Sequence, residues 1–229
     1  MRLTGSLMTI KQFKNIHYGK EIYVFGAGAS LEYIPPNYFD DKICIATNRV
    51  GFEYGLKDYW VAGHHYEAGE YYRQLGCTAP MVLPDKDINN LEMDPVADKD
   101  NVFRFPASKQ HYENFSVDLH FPKKDDRLVI GSSSFHTSLH LAQYMGASTI
   151  IIVALDQGKL DGKTNFQKYT ETPHLPGRDT GVTDHSFVIW EQHTRQMVAK
   201  IRSLGCNVFS LNPFMNWNLE GHHYSGVNV

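Results

Sequence analysis

The stretch Ile22–Leu31 (IYVFGAGASL) sends an apolar run into Gly26-Ala27-Gly28-Ala29-Ser30. Phosphate oxygens approach backbone N–H groups closely only where no side chain intervenes. Glycines at 26 and 28 therefore suit an anionic ligand, and Ser30 adds a hydroxyl or caps the helix that follows. A plain tight turn carries the same Gly-x-Gly pattern, so the pattern alone does not separate the two. Leu31 stands where a third glycine would complete Gly-x-Gly-x-x-Gly, and the next apolar run ends at Asn48 rather than at Asp or Glu. Both features oppose the usual dinucleotide mode of nicotinamide and flavin enzymes. An amide at Asn48 can instead donate to and accept from a sugar hydroxyl or a base edge. The P-loop pattern Gly-x-x-x-x-Gly-Lys-Ser/Thr is absent: Gly162-Lys163-Thr164 occurs, but Gln157 stands where its first glycine belongs, so P-loop chemistry has no support.

Further reactive side chains stand at the ends of other runs. Asp156 closes the most hydrophobic one, Thr149–Leu155. An acid there faces the ligand crevice of an open α/β sheet, or else caps a helix. With Asp161 it offers oxygen ligands for a magnesium ion. His185 follows a glycine-rich segment and opens an amphipathic stretch; an imidazole there can serve as a general base or simply be a solvated histidine. His64-His65 follow the run Asp58–Ala62, where His64 can touch a second substrate. Adjacent histidines on a strand point to opposite faces, which argues against a metal pair. His136 and His140 share a helix face, but no Glu follows His136 and no third ligand is evident, so zinc is disfavoured. Tyr66, Tyr71 and Tyr72 can stack on a sugar or fill a core. His222-His223 lie in a polar, aromatic tail and read as surface residues.

The elements that position these residues follow from periodicity. Six short runs predict strands: Glu21–Phe25, Lys42–Thr47, Asp58–Ala62, Pro80–Leu83, Thr149–Leu155 and Asn207–Leu211. Most are continuous and β-branched or aromatic, as parallel strands covered on both faces are. Ser133–Met145 predicts a helix with serine N-caps and Gly146 as its stop; His185–Leu204 predicts another, capped by Asp184 and ended by Gly205. Helix–Gly–strand, repeated, is βαβ grammar, so the expected fold is a single α/β domain over residues 1–229. It is Rossmann-like, with a mostly parallel sheet and helices on both faces. Two stretches break the grammar: polar residues 84–127, expected to be an insertion, and Gly/Pro-rich residues 157–183, expected to be a lid-like loop at the crevice.

The 229 residues carry a net charge of −3, with 42% hydrophobic and 21% charged residues, an ordinary globular composition. No basic stripe runs along a helix, so nucleic acid is not an expected partner. Cys44, Cys77 and Cys206 are odd in number and widely spaced, against a disulfide framework; Cys44 and Cys206 read as small core hydrophobes. The start of the chain lacks the apolar core of a signal peptide, and no run is long enough to span a bilayer, so the expected location is cytoplasmic.

Taken in order, these motifs resemble the bacterial sialyltransferases of glycosyltransferase family 42. They also resemble the related MptE-like 6-hydroxymethylpterin pyrophosphokinase-like proteins. The residues that carry the resemblance are strand–GAGASL, a second strand ending in Asn48, Gly131-Ser132-Ser133 before a helix, Tyr144–Asp156 (YMGASTIIIVALD), His185-Ser186, and Asn212-Pro213 after the last strand. The chain differs at Ala27, Ala29 and Ala154. Gln157-Gly158 also stand where the sialyltransferases place tyrosines, leaving Tyr169 as the nearby candidate for stabilising a leaving group.

The resemblance implies that Gly26, Ala27, Gly28 and Ser30 line a nucleotide phosphate and that Asn48 binds the donor's nucleotide. Ser132 and Ser133 would hold the donor's carboxylate or phosphate, Asp156 would sit near the ribose or base, and His185 would be the general base. It implies a glycosyltransferase that moves a sugar from a nucleotide-sugar, CMP-type favoured, to a glycan or small-molecule acceptor, with no cofactor required. The alternatives are a pyrophosphokinase needing magnesium and acting on a pterin-like alcohol, and a nucleotide-binding protein without catalysis. Assembly as a homo-oligomer stays open.

Overall fold

Runs of β-branched and aromatic residues form β1 (Glu21–Phe25), β2 (Ile43–Thr47), β3 (Tyr59–Val61), β4 (Met81–Pro84), β5 (Val102–Phe105), β6 (Thr149–Val153) and β7 (Asn207–Leu211). They build one sheet in the order β5-β4-β3-β2-β1-β6-β7, with every neighbouring pair parallel. The computed structural model describes residues 8–48, 50, 54, 56, 58–65, 68, 69, 72, 73, 76, 78–85, 96, 99–106, 121, 127–157, 160, 162, 163, 165 and 184–211, the first three of the last range by backbone alone. This is the expected Rossmann-like α/β fold.

Alternation along each strand sorts its side chains to two faces. Ile22, Val24, Ile45, Val61, Val82, Ile150, Ile152 and Val208 pack on one face with residues of helices α1 (Ser134–Tyr144) and α2 (Asp184–Ser203), including Leu139, Ala142, Met197 and Ile201. Tyr23, Phe25, Ala46, Trp60, Met81, Leu83, Ile151 and Val153 face the other way, covered by Leu31, Phe39, Val50 and Ala68 among others. Burial on both sides is why these strands read as unbroken apolar runs.

β5 lies inside the stretch expected to be an insertion. Arg104 interrupts its apolar run, and four residues between polar flanks give little periodic signal, yet it pairs with β4 from Met81↔Val102 to Pro84↔Phe105. Beyond it, the Arg104 amide donates to the Met8 carbonyl (2.8 Å), so the segment leading to the buried Ile10 and Phe13 covers part of that edge. α1 ends as expected: Met145 is its C-cap and Gly146 follows at φ 86°, which favours glycine.

The chain passes from β1 through β5 in one direction, then returns to lay β6 on the opposite side of β1. The carboxyl ends of β1 and β6 thus flank the topological switch point, where open α/β sheets form their ligand crevice. No helix among the described residues is long and apolar enough to cross a membrane. Cys77, Tyr66, Tyr71, Asp161, Tyr169, His222, His223, Asn212, Pro213 and most of residues 157–183 lie outside the described residues, as does the side chain of His185.

Candidate functional site

The β1 turn is held by β6. Gly26 N–H donates to the Val153 carbonyl and Gly28 N–H to the Ala154 carbonyl, both at 2.8 Å, and Leu31 N–H donates to the Gly28 carbonyl at 3.2 Å. Ser30 donates twice to Asp156: its amide to Oδ2 at 2.8 Å and its hydroxyl to Oδ1 at 2.5 Å. Both residues are buried. A Cβ on Gly26 would stand 2.6 Å from the Ala154 oxygen, and one on Gly28 would stand 2.4 Å from Asp156 Cγ. Contact with β6 therefore requires both glycines whether or not a ligand is present. Asp156 thereby holds the start of the short 3-10 helix Ala29–Tyr33. The turn amides without an acceptor among the described residues are those of Ala27 and Ala29.

Asn48 stands at the end of β2 in the left-handed region, at φ 55°. Its amide N–H donates to the Val61 carbonyl (2.8 Å), while its side-chain oxygen is buried with no hydrogen-bond partner among the described residues. Next to it, Thr47 Oγ1 lies 2.8 Å from Ser138 Oγ, which itself donates to the Ser134 carbonyl, so β2 is pinned to α1. A buried acceptor left empty among the described residues, at the carboxyl end of the strand next to β1, is the polar feature that most directly invites a donor from outside the chain.

The α1 N-terminus uses its serines internally. Ser133 Oγ caps the helix by accepting from Phe135 N–H (3.2 Å), and Ser132 Oγ lies 2.6 Å from Nδ1 of His193, on α2. Burial lowers the His193 pKa and favours the neutral ring. A neutral imidazole on a serine hydroxyl can orient that hydroxyl or share its proton. His193 is the functional candidate that periodicity passed over. It and Thr194 stand among Trp190, Met197, Val198 and Ile201 at helical spacing, and polar residues on a buried stripe signal a hydrogen-bond network.

His136 and His140 are fully enclosed, and burial pushes both down to about 3. His140 Nδ1 accepts from Val129 N–H (2.8 Å) and His136 Nε2 meets Thr194 Oγ1 (3.1 Å), so both work inside the protein. Among the described residues no group of side chains is arranged to hold a metal ion. The Cys44 and Cys206 thiols are buried and pushed up to about 12 and about 11, which makes neither a nucleophile. His64 stands partly buried just past β3; His65 is buried and turned to the Pro84 carbonyl (2.7 Å), which Arg104 also contacts.

No protein-family model matches this chain, and no curated protein matches its sequence. Among solved structures, the sialyltransferase CstII from Campylobacter jejuni, in complex with the substrate analogue CMP-3FNeuAc, superposes with a TM-score of 0.51 at 13% identity over 89% of this chain and 85% of that one. A second structure of CstII, with cytidine-5'-monophosphate, gives a TM-score of 0.45 at 15% identity over 90% of this chain and 84% of that one. At such identities the likeness to the first is one of fold.

Proposed function

We propose that this chain is a glycosyltransferase that moves a sugar from a CMP-type nucleotide-sugar, such as an activated nonulosonic acid, to an acceptor hydroxyl. The observation that carries the reading is the buried, unsatisfied side-chain oxygen of Asn48 beside the switch-point crevice. It is supported by a fold shared with an enzyme solved with a CMP-sugar analogue. Asn48 accepts a hydrogen bond from the nucleotide, and the Ala27 and Ala29 amides donate to its phosphate. The acceptor oxygen attacks the anomeric carbon, the bond from that carbon to the phosphate oxygen breaks, and CMP leaves with the electron pair. His185 takes the acceptor's proton. Ser132, oriented by His193, holds the donor's carboxylate. Protein donors offset the charge on the leaving phosphate, so the reaction calls for no metal.

A ligand that binds the native state raises its melting midpoint, so thermal shifts with CMP, CDP, UDP, ATP with and without magnesium, and NAD test the reading. CMP and CMP-sugars should raise the midpoint without magnesium, and His185→Ala should keep that shift while abolishing turnover. A shift confined to ATP with magnesium would replace the proposal with phosphoryl transfer. Binding of CMP-sugars without transfer to any acceptor would leave a non-catalytic nucleotide-binding protein.

A further inference from the structure

Hydrogen-bond accounting around Thr194 fixes the direction of a side chain at the crevice. The Thr194 hydroxyl has one proton, which goes to the Trp190 carbonyl one turn earlier (2.7 Å). Its oxygen must then accept from its other two neighbours, Gln157 Nε2 at 2.8 Å and His136 Nε2 at 3.1 Å. The N–H end of the Gln157 amide is thereby identified by its bond, and the carbonyl end points the other way. That oxygen, Oε1, is buried and has no hydrogen-bond partner among the described residues.

The backbone adds a second, independent sign. Gln157 sits at φ 47° and Ala154 at φ 48°, on either side of Asp156. Non-glycine residues rarely occupy this region, and such conformations gather where a ligand is held. Gln157 follows β6 and Asn48 follows β2, with β1 between them. Two strand spacings separate those strands by about 10 Å, roughly the span of a nucleotide laid across the β1 turn. Two amide oxygens without a partner among the described residues thus stand at the carboxyl ends of the strands on either side of β1.

We propose that Gln157 Oε1 is a specificity-determining acceptor that takes a hydrogen bond from a sugar hydroxyl of the bound nucleotide or nucleotide-sugar. This rests on the nucleotide-sugar reading above. A neutral acceptor near the Asp156 carboxylate suits a hydroxyl and is poorly suited to a phosphate. The hydroxyl belongs either to the ribose or to the transferred sugar. Because Oε1 is enclosed, the ligand reaches it only by displacing the atoms that now cover it.

The test is calorimetric titration of the wild-type chain, Gln157→Ala and Gln157→Gly with CMP, 2′-deoxy-CMP, 3′-deoxy-CMP and CMP-3FNeuAc. Gln157→Gly suits the left-handed backbone and guards against loss of the fold. The wild-type chain should bind CMP about tenfold more tightly than one of the deoxy forms if the ribose is read, or CMP-3FNeuAc about tenfold more tightly than CMP if the transferred sugar is read. Both variants should still bind CMP, with that ratio near one. Variants that keep the wild-type ratios overturn the role of Gln157 and leave the nucleotide reading standing. A wild-type chain that binds none of the four overturns both.

Discussion

Ser30 and Asp156, 126 residues apart in sequence, are joined by two hydrogen bonds in the interior: the Ser30 amide and hydroxyl each donate to one oxygen of the same carboxylate. This pair closes the junction between the first strand and the strand laid beside it last but one. It also explains the glycines, because Gly28 has to pass against the carboxylate that reaches Ser30.

Asp156→Ala should therefore destabilise the fold by about 2–3 kcal/mol, since two donors lose a buried charged acceptor. Gly28→Ala should cost about 1–3 kcal/mol by overpacking. Urea unfolding at constant m measures both. A Gly28→Ala chain as stable as the wild type would mean that the β1 turn and Asp156 do not meet.

Asn48→Gly is expected to raise stability by about 1 kcal/mol while weakening nucleotide binding. The change relieves a left-handed backbone and deletes a buried oxygen that no described residue satisfies. A higher melting midpoint with a smaller CMP-induced shift is the expected result. A lower midpoint would show that the side chain already has a structural partner.

Acid should weaken the fold before the carboxylates titrate. His136 and His140 are held near 3, against 6.5 for an ordinary histidine. Between those values the unfolded chain binds more protons than the native one, so stability falls as pH falls from about 6.5 toward 3. The slope is up to about 1.4 kcal/mol per pH unit for each histidine. His140→Asn, which keeps an acceptor for the Val129 amide, should remove about half of it. Urea midpoints measured between pH 7.5 and 5 check this; a flat profile would mean that both rings already titrate normally in the native state.

The bond between Ser132 and His193 predicts a coupling energy. Ser132→Ala and His193→Ala should each cost about 1–3 kcal/mol, and the double variant should cost less than their sum by about 1 kcal/mol. Strict additivity would mean that the two side chains do not interact in solution.

The central strands were legible because both faces of each are buried, so β1, β2 and β6 appear as continuous apolar runs. β5 was not, because Arg104 breaks its run within four residues. The turn at Gly26–Ser30 was legible as a turn, but the force that shapes it comes from β6, and no local pattern reports a contact made that far along the chain. The same reason hid His193 and its bond to Ser132: His193 looks like an ordinary polar residue until α1 and α2 pack together. Asn48 stood out by type, as an amide where an acid is usual, while its left-handed backbone and empty oxygen belong to the folded chain alone.

The sheet order also constrains how the protein can be made. β1 is complete at Phe25, but its second neighbour begins at Thr149, so on a ribosome the first strand waits with one flank bare. At the usual pace of translation that interval is on the order of 10 seconds. A chain cut before β6 would present an exposed row of backbone donors and acceptors along β1. Such nascent or truncated chains should depend on chaperones, and a release point beyond β7 marks where that dependence ends.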